Sequence, residues 1–139
     1  MRYQGKYRVR FPRKYKGDPH NVIYRSSWEY KFMKWCESTP SVLEWGSEEI
    51  AIPYISPVDG KRHKYFPDFY VKIKGKKYMV EVKPFKQTKE PKTQKKITKS
   101  YVSEVLTWAV NKAKWKAAGE VCEDNGYKFM IITEKELKV

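Results

Sequence analysis

Cysteine, histidine and acid are scarce in this 139-residue chain, and each scarcity closes off a class of function. The two cysteines, Cys36 and Cys122, stand 86 positions apart with no CxxC pair, and the two histidines are His20 and His63. Soft ligands so few and so spaced do not suit a zinc site. Neither thiol has a neighbouring histidine to activate it, so both are expected to be small core hydrophobes beside Met33 and Val121. Also missing is any apolar run near the roughly 20 residues of a membrane-spanning helix, or the apolar stretch of a signal peptide. A soluble, intracellular protein with no membrane partner is the expectation. Asp and Glu number 16 against 30 Lys and Arg, and the formal charge of +14 points to a polyanionic partner. No RRM, KH or zinc-knuckle pattern directs that charge towards RNA.

What is present fits one domain with one core. Residues 1–20 read as a basic, aromatic arm: Arg2, Lys6, Arg8, Arg10, Arg13, Lys14 and Lys16 alternate with Tyr3, Tyr7, Phe11 and Tyr15. Such a segment is either a poorly ordered terminus or one that neutralises phosphates and stacks on sugars or bases, and the aromatics favour the second. Residues 21–139 read as the folded domain. Ser26-Ser27-Trp28-Glu29 opens a helix whose Trp28, Phe32 and Trp35 recur at helical spacing, and Thr39-Pro40 closes it. A connection around Trp45-Gly46 leads to an alternating strand at Ile50, Ile52 and Tyr54. After the turn at Pro57-Val58-Asp59-Gly60, strands are expected over Lys64–Ile73 and Lys76–Lys83, joined by a tight Lys74-Gly75 loop.

The stretch 84–100 is a lysine-rich exposed loop with Pro84 and Pro91. A long helix over Tyr101–Cys122 carries Val102, Val105, Leu106, Ala109, Ala113 and Ala117, the side expected to cover the sheet. A last strand at Tyr127–Ile132 and a capping-box helix at Thr133-Glu134-Lys135-Glu136 complete the chain. The predicted class is α/β, in the order α-β-β-β-α-β, with a mixed sheet flanked by helices.

Side chains alternate along strands, so Glu81 and Lys83 share one face of the third strand and Val80 and Val82 the other. A two-residue loop pairs Ile73 with Lys76 and, counting back, Asp68 with Glu81. Cross-strand carboxylates about 5 Å apart repel unless a cation or proton lies between them, and oxygen-only ligands suit Mg²⁺ or Mn²⁺. A slip of one residue separates them onto opposite faces. Taken singly, each residue could decorate a solvated strand. Together, Phe66-Pro67-Asp68-Phe69 and Val80-Glu81-Val82-Lys83 bring charge into apolar strand segments, which is costly without a purpose.

Pro67-Asp68, Glu81-Val82-Lys83 and a preceding helix with Glu29 resemble the PD-(D/E)XK (restriction-endonuclease-like) nuclease superfamily, whose core has the α-β-β-β-α-β order. The fuller set Tyr24-Arg25-Ser26-Ser27-Trp28-Glu29, Trp45, Glu49, Ile52-Pro53-Tyr54, Tyr65-Phe66-Pro67-Asp68-Phe69 and Glu81-Val82-Lys83-Pro84 resembles its TnsA-like branch. Within that branch it is most similar to the head-completion nucleases of large contractile-tailed bacteriophages.

The resemblance implies a metal-dependent endodeoxyribonuclease in head completion or DNA-end processing. It implies Asp68, Glu81 and the Val82 backbone carbonyl as ligands of Mg²⁺, with Mn²⁺ substituting. Lys83 would stand beside the attacking water and scissile phosphate, and Glu29 matches the helix carboxylate of relatives, although Ser26 and Glu29 equally form a capping box. Glu49 is a weaker candidate that fits the polar face of a strand. DNA is the implied partner, with phage head or portal proteins beside it, in the host cytoplasm or the virion. The competing reading is a non-catalytic DNA-binding or virion structural protein on the same fold, whose mark would be a lost carboxylate or lysine.

Overall fold

The basic N-terminal segment folds onto the rest of the chain because its tyrosines bury. In the computed structural model, which describes residues 4–138, β1 (Gly5–Lys6) pairs antiparallel with β2 (Ile23–Tyr24). Tyr15 forms a parallel bridge to Trp45. Tyr7 and Tyr15 are buried, and their rings meet Trp45 edge-on at 5.8 and 4.7 Å. A Cβ on Gly46 would fall 2.9 Å from the Lys16 carbonyl, so only glycine lets this segment lie so close. Two tyrosines expected to stack on nucleic acid are therefore core residues, while Phe11 is exposed. Arg2 and Tyr3 lie outside the described residues.

Helix α1 (Ser27–Ser38) starts where the Ser26 hydroxyl accepts the Glu29 N–H at 3.1 Å. It buries Phe32, Met33, Cys36 and Glu37. Trp35, expected on the apolar face, is 43% exposed, since Met33 and Cys36 take the inward positions. Glu37 is buried yet satisfied: its carboxylate accepts the Tyr7 hydroxyl at 2.7 Å and the backbone N–H groups of Arg10 and Phe11.

The main sheet contains β3 (Val42–Ser47), β6 (Phe69–Ile73), β7 (Lys76–Val82) and β8 (Tyr127–Ile132) in that order, antiparallel except for the parallel β7–β8 pair. Its first strand is thus Val42–Ser47, which the sequence had placed in a connection. The register shifts between Val42 and Glu44, and both Trp45 and Gly46 are buried, so the chain shows no clean alternation there. The expected strand at Ile50–Tyr54 is instead β4 (Ile52–Ile55), which pairs with β5 (Arg62–Tyr65) in a separate ribbon. The expected strand Lys64–Ile73 is divided between ribbon and sheet. Pro67 has no N–H to give a ladder, and the break falls at residues 66–68.

The β6–β7 hairpin has the expected register. Lys74 and Gly75 have φ of 49° and 87°, as a two-residue type I′ turn needs, and Ile73 faces Lys76 while Phe69 faces Val80. Phe69, Val71 and Val80 pack with α1, whereas Met79 joins Ile52, Tyr65, Ala118 and Cys122 in a second cluster.

Helix α2 (Lys99–Asn125) corrects another expectation. Its inward residues are Asn111, Ala118 and Cys122, and the apolar residues Val102, Val105 and Leu106 are exposed. At 3.6 residues per turn the two sets lie on opposite sides of the helix, and the first turns run past the sheet. Both cysteines are buried free thiols, Cys36 against α1's neighbours and Cys122 under α2, and burial pushes each thiol above its ordinary range. A capping box at Thr133 starts the short α3 (Glu134–Leu137). Among the described residues no helix is long and apolar enough to cross a membrane.

Candidate active site

Asp68 sits at the point where the chain leaves the β4–β5 ribbon and enters β6, one residue before the Phe69–Val80 pair and so next to Glu81 on β7. The Asp68 Oδ2 accepts the Val82 N–H at 2.8 Å, and the Asp68 N–H donates to Glu81 Oε1 at 3.4 Å. Each residue therefore touches the other's strand. Glu81 lies on the α2 side of the sheet with Met79, because Val80 and Val82 face α1. It is buried, and Tyr65 at the foot of β5 donates its hydroxyl to Oε1 at 2.7 Å.

Lys83, just beyond β7, directs Nζ to 3.9 Å from Glu81 Oε2 and stays partly exposed. Its backbone N–H donates to Ile132 O at 3.0 Å, which continues the parallel ladder and fixes its face. From α2, Lys114 places its ammonium 5.7 Å from the centre of the Tyr65 ring. Two cations thus flank a carboxylate pair on one side of the sheet.

Burial, then the Glu81 charge, raises the Asp68 carboxyl well above the ordinary range, against the Val82 N–H and Lys83. Burial also raises Glu81, opposed by the Tyr65 hydroxyl, Lys83, the Asp68 N–H and Lys114. Glu29, at the start of α1, is raised by burial too, then by the charges of Glu48 and Glu81 against the Arg25 N–H, and its own charge raises Asp68. The Glu29 carboxylate accepts the Arg25 N–H at 3.1 Å. Its backbone N–H is the one capped by Ser26, but its carboxylate takes the Arg25 N–H, so only half of the expected Ser26–Glu29 capping box forms.

Asp68 is raised by the charges of both Glu81 and Glu29 as well as by burial, and a proton or a cation relieves such a carboxylate. Among the described residues no hydrogen bond reaches Asp68 Oδ1 or Glu81 Oε2, so each carboxylate has one oxygen held by the protein and one left over. Those two free oxygens are hard donors of the kind that hard divalent cations take.

Asp68, Glu81 and Lys83 are thereby brought together, while Glu29 acts on Asp68 only through its charge, and among the described residues no group of three or more His, Cys, Asp or Glu stands where it could hold a metal ion. Glu49 is not part of this site, because its carboxylate takes the Tyr15 hydroxyl at 3.0 Å and ties down the N-terminal segment. The sequence reading missed Tyr65 and Lys114. Tyr65 stands three positions before Asp68 in the Tyr65-Phe66-Pro67-Asp68 stretch, but nothing local says that its hydroxyl reaches β7. Lys114 reads as one of several lysines on a helix. It also missed Glu48, just past the end of β3, whose φ is 52°, whose N–H donates to Asp68 O at 3.1 Å and whose carboxylate pairs with Arg25 at 3.1 Å.

The model of the TnsA-like endonuclease N-terminal family matches residues 39–134, a span that holds Asp68, Glu81, Lys83, Tyr65 and Lys114. The chain is also 40% identical over 143 aligned positions to the head completion nuclease of Enterobacteria phage T4, covering 99% of this chain and 95% of that protein. No solved structure matches it. With a paired-carboxylate centre inside the matched span and near full-length likeness to a phage nuclease, the chain belongs to the TnsA-like endonuclease family.

Proposed function

We propose that this protein is a metal-dependent DNA endonuclease of bacteriophage head completion, a hydrolase of phosphodiester bonds on a PD-(D/E)XK core. The observation that carries the reading is the buried Asp68–Glu81 pair with Lys83 on Glu81 Oε2. The order α1, β3, β6, β7, α2, β8 around the main sheet supports the fold assignment. The likeness to a head completion nuclease supports the setting. The non-catalytic alternative expects a lost carboxylate or lysine, and all three residues are present.

Asp68, Glu81 and the Val82 carbonyl are the residues to hold Mg²⁺, with Mn²⁺ able to replace it. Once bound, the ion would acidify a water and screen the phosphate charge. Tyr65 and the Asp68 N–H hold Glu81 Oε1, so its other oxygen keeps one direction. Lys83, beside that oxygen, would orient the attacking water and stabilise the charge that develops on the phosphate. Glu29 would take or direct a proton at the edge of the cluster, since burial already favours its protonated form. DNA is the substrate in this reading, head or portal proteins are partners, and the host cytoplasm and the virion are the places of action.

The test is incubation of supercoiled and linear DNA with the protein in Mg²⁺, Mn²⁺, Ca²⁺ or EDTA, beside an Asp68→Asn control. Nicking or linearisation in Mg²⁺ or Mn²⁺, absent in EDTA and in the control, is expected. Wild-type protein that never cuts with any of these ions would overturn the reading.

A further inference from the structure

Beyond the carboxylate cluster, the 84–97 segment and the first half of α2 enclose a groove of about 790 Å³. Lys86, Lys89, Lys92 and Phe85 line one wall, and Trp108 and Asn111 line the other. The wall is anchored where it begins: the Phe85 N–H donates to Glu134 at 2.7 Å, and the Lys135 ammonium lies 3.4 Å from the centre of the Phe85 ring. Trp108 is half-buried and held edge-on against Trp115 at 6.0 Å.

Both walls lead to the catalytic cluster. Phe85 is two residues from Lys83. Asn111 is one turn from Lys114, about 4.5 Å along the helix axis, and Lys114 lies over the Tyr65 ring that bonds Glu81. The groove and the cluster therefore share both their supports.

The lining is cationic with one aromatic face. Glu90 and Glu104 also line the groove against the three lysines, and Lys95, Lys96 and Lys99 lie along the chain between the lining residues Gln94 and Ser100. Among the described residues none of these lysines forms an ion pair. Lysines that outnumber the two acids and form no ion pair are suited to phosphates, and an indole in a half-open groove is suited to the face of a base. Only an unpaired strand exposes both together. The volume falls in the range of about 300–1,000 Å³ usual for ligand sites, room for a few nucleotides of one strand.

We propose that this groove receives one unpaired strand of DNA and leads it to the Asp68–Glu81 cluster, so that the preferred substrate is a strand end or a forked junction. The proposal deepens the endonuclease reading and rests on it for the strand's destination. The affinity, however, is measurable without cleavage.

The test measures fluorescence anisotropy of a labelled single-stranded oligonucleotide and of its blunt duplex, in EDTA, across a salt series. Proteins compared are wild type, a Lys86→Ala/Lys89→Ala/Lys92→Ala variant and Trp108→Leu. The triple variant is expected to lower the single-strand salt slope by about 2, three contacts at ~0.7 each. Trp108→Leu is expected to weaken single-strand binding by about 5- to 100-fold and duplex binding little. Should Trp108→Leu fail to fold, the triple variant, with exposed lysines, decides alone. Wild-type affinity and slope on single strands, or equal losses on duplex, overturn the groove. If the variants lose the strand as expected but wild type cuts no forked DNA in Mg²⁺ or Mn²⁺, the groove stands as a strand site and the endonuclease reading and the destination fall.

Discussion

Tyr65 holds Glu81 from another sheet: its hydroxyl, at the foot of the β4–β5 ribbon, lies 2.7 Å from a carboxylate oxygen on β7. A partner that fixes a metal-ligating carboxylate usually contributes 10- to 100-fold to metal affinity or activity. Tyr65→Phe is therefore expected to raise the Mg²⁺ concentration for half-maximal cleavage by about 10-fold or more, with the fold retained. A Mg²⁺ titration of nicking rate checks this. An unchanged midpoint would remove Tyr65 from the site.

Lys83→Ala should keep DNA binding and lose about 10²- to 10³-fold in turnover, the usual cost of one electrostatic contact to a transition state. Lys83→Arg should rescue poorly, since a planar fork does not replace a compact ammonium. Single-turnover cleavage together with anisotropy separates the two effects. Wild-type cutting by Lys83→Ala would sink its catalytic assignment.

The raised carboxyls give the metal-free protein a definite pH dependence. Between the ordinary carboxyl value and the raised value in the fold, the folded state binds more protons than the unfolded one, so stability falls as pH rises. Asp68, Glu81 and Glu29 all shift this way. In EDTA, the melting temperature should fall as pH rises above the ordinary carboxyl range, and less steeply in Asp68→Asn, which lacks one of the three groups. Excess Mg²⁺ at the upper pH should restore it by mass action. Parallel curves for the two proteins, with no response to the ion, would count against the acidic cluster.

The N-terminal segment should act on stability before it acts on DNA. Removing residues 1–17 takes away Tyr7 and Tyr15 and leaves the buried Glu37 without the donors at Tyr7, Arg10 and Phe11. An uncompensated buried charge costs about 3–5 kcal/mol, enough to unfold many small domains. Tyr7→Phe alone should cost about 1.5–3 kcal/mol. The exposed Arg8→Ala and Arg13→Ala should leave the melting temperature unchanged while reducing the salt slope of DNA binding. Urea melts and anisotropy distinguish these outcomes, and a truncated chain of wild-type stability would refute the packing account.

Much of the site was legible because it rests on a local count. The two-residue Lys74-Gly75 loop and strict strand alternation set Asp68 opposite Glu81 and put Lys83 on the same face, with no long-range information needed. What was not legible depended on distant partners. Trp45 and Gly46 form a strand only because Tyr15 and Lys16 lie against them and β6 pairs across a register shift. The apolar stripe at Val102, Val105 and Leu106 looked like the buried face of α2, but periodicity gives a helix two sides without saying which one meets the sheet. Tyr7 and Tyr15 looked like surface aromatics because the basic residues around them are exposed. Their burial depends on Trp45 and on acids 30 and 34 positions away.

Asp68 accepts the Val82 N–H just where Pro67 leaves the ladder short of a strand. Its side chain is thus a structural rivet as well as the proposed ligand, and an Asp68→Ala lineage would orphan a backbone donor at about 1–3 kcal/mol. Selection on chemistry and selection on foldedness then act on one residue. A descendant that gave up cleavage would still be held to Asp or Asn at 68, so the aspartate could outlast the activity, and Lys83 is the better witness that the activity is still there.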